Sequence, residues 1–219
     1  MTGSSVSAAA FPDRAAGGAQ LARSLAQRGV SGVLLAALPP GGVEVAAEVS
    51  RLLGFPVEVV GARPIGLVPD PTLSVGAVAE DGSTVFDPDF QPSFTMMSMI
   101  EAAAETARWE LVRLAGSLRG ERPIRAMDGQ TAVIVDDMIL SPWLTLAAAE
   151  LARLRRAREV LIAAPVGAIE ALERLTFRGI EVVCPARLDG PADPAACYAD
   201  PSPPDVERVR AALLRAPSR

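Results

Sequence analysis

Five short apolar runs alternate with stretches of helical period, and that alternation constrains the fold more than any other feature of the chain. The runs are VLLAAL (33–38), VEVV (57–60), TAVIV (131–135), EVLIAA (159–164) and IEVVC (180–184). VLLAAL is a continuous apolar run bounded by turn residues, as a parallel strand covered on both faces should be. The spacing predicts helices over 14–28 (stopped by Gly29), from the PPGG turn through about Leu53, from Ser98 onward, and over 146–157, 168–175 and about 205–214. Ser98 and Glu101 have capping-box spacing, which sets the expected start of the longest helix. SVGAVAE, the turn DGS and TVF read as an antiparallel hairpin, while 61–74, 87–95 and 185–204 read as loop or irregular chain. The expected fold class is α/β. It has a doubly wound, mainly parallel sheet of about five strands, a small flap and a C-terminal hood, all in one domain over 1–219.

Ligands in such sheets sit beyond the carboxyl ends of the strands. That rim is expected to carry PPGG (39–42), DDMILSPWLT (136–145) and the end of IAAP (162–165).

Composition removes much of the possible chemistry. All 21 basic residues are Arg; the chain has no Lys and no His. Imidazole bases, His metal ligands and Lys Schiff bases are therefore excluded. A net charge of −5 argues against nucleic acid, whose phosphates need a cationic face. Cys184 and Cys197 form no CxxC and read as reduced thiols. The first residues lack the basic and apolar segments of a signal peptide, and no run reaches the roughly 18 apolar residues of a membrane span. A cytoplasmic protein with no membrane partner is the expectation.

The clearest chemical feature is VIVDD, a strand ending abruptly in Asp136 and Asp137. Such a pair can hold a vicinal diol, bind magnesium through water, share a proton, or cap the following helix.

Here the chain resembles the type I phosphoribosyltransferases. VIVDD with its following loop and helix resembles their phosphoribosyl pyrophosphate site. FPDRAAGGAQLARSLAQRG, LPPGGVEVAAEVSRLLGFPVEVV, ARPIGLVPDPTLSVGAVAEDG and CYADPSPPDVERVRAAL resemble, in order, the opening helix, the strand–loop–helix, the flap and the closing segment of one family branch. The resemblance implies the family's fold, and it also marks departures. The family's phosphate loop, roughly Gly–Ile–Ala–Thr–Gly–Ala–Thr, is here Met138, Ile139, Leu140, Ser141, Pro142, Trp143 and Leu144. Pro142 has no N–H to offer a phosphate. The family's Leu–Pro–Arg–Gly–Gly is Leu38, Pro39, Pro40, Gly41 and Gly42, and its Arg–Lys pair is Arg63 and Pro64. A further position that is Tyr in the branch is Leu118.

The expected function is a repurposed phosphoribosyltransferase-like protein that has lost phosphoribosyl pyrophosphate binding and acts on a more apolar small molecule. Asp136 and Asp137 serve as acid and base in an isomerisation, dehydration or cyclisation, with Arg63 as an anion contact. Met138, Ser141, Trp143, Leu144, Gly41, Gly42 and Met97 line the substrate site, beside Phe94, Met96 and Met99. Asp70 and Glu44 rank lower. No metal or cofactor is expected, and a homodimer is a candidate assembly. One rival is a working phosphoribosyltransferase with magnesium; another is a non-catalytic regulatory or assembly protein.

Overall fold

The computed structural model describes residues 10–66, 74–120, 123–189 and 197–216. In chain order its elements are α1 (Arg14–Arg28), β1 (Val33–Ala37), α2 (Gly41–Leu53), β2 (Val57–Val59), β3 (Ala62–Gly66), β4 (Ser74–Ala79), β5 (Thr84–Phe86), α3 (Phe94–Arg119), β6 (Thr131–Val135), β7 (Met138–Ile139), α4 (Trp143–Leu154), β8 (Glu159–Ala163), β9 (Val166–Ala168), α5 (Ile169–Phe177), β10 (Glu181–Val183), β11 (Ala186–Leu188) and α6 (Val206–Arg215).

The five apolar runs become one parallel sheet in the order β10-β8-β6-β1-β2. Alternation along each strand divides the core between its faces. Val33, Leu35 and Ala37 of β1 pack with Leu21 and Leu25 of α1, Val45 and Val49 of α2, and Val209 of α6. Leu34 and Ala36 pack with Leu146 and Leu151 of α4 and Leu172 and Leu175 of α5. Gly29 closes α1 in the left-handed conformation, φ 70°.

Three strands of this sheet break at their carboxyl ends and resume a few residues later. β6 continues as β7, β8 as β9 and β10 as β11, and the continuations form a second parallel sheet in the order β11-β9-β7. Asp136 and Asp137 lie at the first of these breaks.

Four expectations need correction. Residues 62–66 are not loop: β3 pairs antiparallel with β4, which pairs with β5. Pro64 is tolerated because β3 is an edge strand with one neighbour. The longest helix starts at Phe94 after the N-cap Ser93, so Ser98 is interior and Met97 lies on the helix. The capping-box spacing at 98–101 does not mark a terminus. The expected 138–145 loop yields β7 and an α4 that begins at Trp143. The expected irregular stretch after Cys184 contains β11. Among the described residues, no helix is long and apolar enough to cross a membrane.

At its far end α3 is tied to the antiparallel sheet. The Arg119 guanidinium donates to the Glu80 carboxylate at 2.5 and 2.6 Å and to the Val59 carbonyl at 2.8 Å, all three groups largely buried.

Candidate active site

The segment from Asp136 to Trp143 crosses the carboxyl rim of the main sheet, and its two ends differ in kind. At the acidic end the side chains are held. Arg14, the first residue of α1, is 3% exposed, and its Nε donates to Asp137 Oδ2 at 2.7 Å. Its other nitrogens donate to the carbonyls of Ser202 at 2.9 Å and Pro201 at 3.3 Å. The same guanidinium stacks 5.1 Å from the centre of the Tyr198 ring, and the Tyr198 hydroxyl donates to the Asp137 carbonyl at 2.6 Å. One carboxylate thus joins the first helix, the sheet rim and the closing segment. Burial, and next the charge of Asp137, raise the Tyr198 hydroxyl above its ordinary range.

The PPGG turn presses on the acidic pair from the side. A Cβ on Gly41 would lie 2.1 Å from Asp137 Oδ2, and one on Gly42 would lie 2.4 Å from the Val135 carbonyl and 3.0 Å from Asp136 Cα. Only glycine permits this approach. The Pro39–Pro40 peptide is cis.

Asp136 is the buried member of the pair. Its Oδ1 accepts the Asp137 N–H at 2.9 Å. Burial raises its pKa well above the ordinary carboxylate value. The charge of Asp137 adds to the rise, and Arg14 opposes it.

Beyond the acids the segment turns apolar. Met138 and Leu140 pack against Val166, Cys197 and Tyr198, while Ile139 is buried in the main core. Pro142 is the N-cap of α4, and its carbonyl accepts the Thr145 hydroxyl at 3.0 Å. Trp143 is buried, with the Arg178 guanidinium 5.2 Å and the Arg174 guanidinium 5.9 Å from its ring centre. Leu144 packs half-buried on the core. Ser141 is exposed.

Ser141 opens on a cleft of about 550 Å³. Leu140, Pro142, Trp143, Ala168, Ile169 and Leu188 give it apolar walls, and Asp87, Glu170, Glu173 and Asp189 give it acidic ones. Its one basic lining residue is Arg174, which lies 3.7 Å from Asp87, 3.3 Å from Asp89 and 3.4 Å from Glu170.

Ser141 and Trp143 therefore line this cleft, while Gly41 and Gly42 pack on the acidic pair instead. Asp136, Asp137, Met138, Leu144, Met97 and Arg63 are not among the cleft's lining residues. Arg63, on β3, pairs with Glu110 of α3 at 2.9 Å, both about half exposed. Glu44 pairs with Arg208 of α6. Asp70 lies outside the described residues.

Of the two acids that could hold magnesium through water, one is already committed to a protein partner. Asp137 is engaged by Arg14 and crowded by Gly41. Among the described residues no three Asp, Glu, Cys or His side chains converge as metal ligands.

Sequence reasoning missed Arg14 as a site residue. A signal was present: a cation in the first turn of a helix opposes the helix dipole and needs a nearby carboxylate to hold it there.

No family model matches the chain. Proteins from two strains of Mycobacterium tuberculosis, each named "putative phosphoribosyl transferase", are 36% identical to it over 175 residues. That alignment covers 80% of this chain and 40% of each mycobacterial protein, so the chain spans well under half of their length. The crystal structure of TT1426 from Thermus thermophilus superposes with a TM-score of 0.77 at 35% identity, covering 95% of this chain and 99% of that one. A hypothetical protein from Neisseria gonorrhoeae, crystallised with bound ppGpp, shares the fold at a TM-score of 0.51 and 13% identity, covering 85% of this chain and 86% of that one.

Proposed function

Because the chain belongs to the type I phosphoribosyltransferase-like family, we propose that it keeps the family's fold but binds a different ligand. That ligand is an uncharged or cationic small molecule with apolar surface, seated in the cleft beside Ser141 and Trp143, in place of phosphoribosyl pyrophosphate. The observation that carries this reading is the charge of the cleft. Four carboxylates line it against one guanidinium, and that guanidinium already faces three carboxylates. A polyanion entering there meets repulsion and finds no free cation. The apolar walls favour a ligand with hydrocarbon or aromatic surface.

The phosphate-loop positions support the same reading. Pro142 supplies no amide, Trp143 is part of the core, and Met138 and Ile139 pair with β9. Phosphate cradles need consecutive free amides at a helix N-terminus.

A second element of the reading concerns Asp136. Of the two acids, Asp137 is bound to Arg14, whereas Asp136 is buried with its pKa raised. Asp136 is the member suited to hold a proton; it does not line the cleft and is given no contact with the cleft's ligand. Asp137 and Arg14 are its fixed surroundings.

The cleft is tested through Trp143 fluorescence in a Trp109→Phe background. An aromatic cation, benzyltrimethylammonium, and inorganic pyrophosphate serve as probes. Saturable quenching by the cation alone is expected. Saturable quenching by pyrophosphate alone would defeat the reading and favour a working phosphoribosyltransferase.

A further inference from the structure

A second cavity, of about 320 Å³, is bounded by the start of α1, one face of α2 and α6. Three carboxylates and three guanidiniums line it, those of Asp13, Glu44 and Glu48 and of Arg51, Arg208 and Arg215. None of these residues lines the cleft beside Ser141. Four of them are committed to one another. The Arg208 Nε donates to Glu44 Oε1. The Arg51 guanidinium donates to both Glu48 oxygens, at 2.6 and 2.9 Å.

The groups left uncommitted lie at two ends. At one end the Glu44 side chain is only 9% exposed. Its Oε2 alone, among the buried side-chain oxygens and nitrogens of the described residues, has no hydrogen-bond partner. A buried carboxylate oxygen in this state calls for a donor, and the cavity that Glu44 borders is where one can stand. Asp13 adds a negative charge: one of its oxygens caps α1 by accepting the Ala16 N–H at 2.7 Å, and among the described residues it is in no ion pair. At the other end is Arg215, exposed and likewise in no ion pair among the described residues. α6 runs beside α2. Arg208 stands at Glu44, and Arg215, seven residues on, stands near Glu48. The Arg51 hydrogen bond holds the Glu48 carboxyl below its ordinary value, and the charge of Arg215 adds to that effect. Seven residues are two helical turns, about 10 Å. Ala47, on the same face of α2, lines the stretch between the ends.

We propose that this cavity binds a small zwitterion whose ammonium group donates to Glu44 Oε2 and whose carboxylate accepts from Arg215, with a short alkyl chain lying over Ala47 between them. A lining with equal numbers of acids and bases selects against net charge in its occupant. A simple amine leaves Arg215 without a partner, and a simple carboxylate leaves Glu44 Oε2 without one. The length between the two ends excludes an α-amino acid, whose charges are only two bonds from a common carbon, and suits an amino acid with its amine at the far end of the chain. Asp13 precedes Arg14, and Glu44 follows Gly42 by two residues. The occupant therefore touches the two elements that frame Asp137 without touching the acidic pair. The proposal is independent of what the cleft beside Ser141 binds.

Isothermal titration with ε-aminocaproate tests it, with hexylamine, hexanoate and glycine as comparators that lack one charged end or the length. Saturable binding of ε-aminocaproate is expected, at least tenfold tighter than any of the three. Arg215→Ala, at an exposed position that leaves the fold intact by far-ultraviolet circular dichroism, is expected to weaken ε-aminocaproate at least tenfold and to abolish its advantage over hexylamine. Glu44→Gln keeps an acceptor for Arg208 and is expected to abolish the advantage over hexanoate. No saturable heat from ε-aminocaproate up to millimolar concentration would overturn the proposal. So would a comparator that binds as tightly, or a preference for ε-aminocaproate that survives Arg215→Ala.

Discussion

The acidic end and the Ser141 end of one eight-residue segment have opposite characters. At Asp137 the Oδ2, the N–H and the carbonyl have fixed partners in Arg14, Asp136 and Tyr198, and the glycines of PPGG pack against the acidic pair. At Ser141 the chain faces an open cleft with apolar and acidic walls. A site that holds a polyanion needs free donors at both ends. Here the first end acts as a clasp between chain segments far apart in sequence, and the second lines the cleft in which we propose that the ligand sits. In this chain the acids at the strand end are part of the framework, and the cleft opens a few residues along.

That contrast predicts a large stability effect at the clasp. Arg14→Ala leaves the Asp137 carboxylate without its charged partner, and removing one member of a buried pair costs about 3–5 kcal/mol. Urea unfolding measures it, and a loss below about 1 kcal/mol would mean that Asp137 is not held as described. Adding Asp137→Asn to Arg14→Ala should recover part of the loss, because the orphaned charge is gone.

Gly41→Ala comes next. The added Cβ must push the Asp137 carboxylate or the turn aside, at a cost of about 1–3 kcal/mol. A neutral result would show that PPGG and the acidic pair are not in contact.

The third prediction separates the two acids by pH. The native pKa of Asp136 is raised by burial and by Asp137. Its unfolded form ionises near pH 4, before the native form does, so between those values the native state holds the extra proton. Its contribution to stability is therefore full below about pH 4 and declines as pH rises toward the native pKa, by up to about 1.4 kcal/mol per pH unit. Asp136→Asn should stabilise the protein at neutral pH and flatten that slope in urea melts run across the pH range. An unchanged slope would place the raised pKa elsewhere.

The smallest effect is expected at Arg63. Its pair with Glu110 is half exposed, so Arg63→Ala should change stability by about 0–1 kcal/mol. It should leave both ends of the segment, and cation quenching of Trp143, as they were. A loss of probe binding in this variant would restore Arg63 to the site.

The main sheet was legible because its strands are short, mostly apolar runs ended by turn residues, even where Glu58, Glu159 and Glu181 fall within them. β3 was not, since Pro64 and its neighbouring prolines resemble loop, and only its position at a sheet edge makes it a strand. β7 and β11, at two and three residues, are too short to leave a period; they exist because neighbouring strands resume beside them. The site was partly legible. The run VIVDD marked the rim, and the substitutions from Met138 to Leu144 marked its altered character. The division of labour between the acids depends on Arg14 and Tyr198, which lie more than a hundred residues and about sixty residues from Asp137 in sequence. Contacts of that range leave no local pattern in the sequence.

Isothermal titration of the protein with phosphoribosyl pyrophosphate and magnesium tests the central claim most directly. With Ile139 and Trp143 in the core, no N–H on Pro142 and the cleft lined by carboxylates, no saturable heat is expected up to millimolar ligand. Saturable binding at micromolar concentration, abolished by Ser141→Ala, would contradict it.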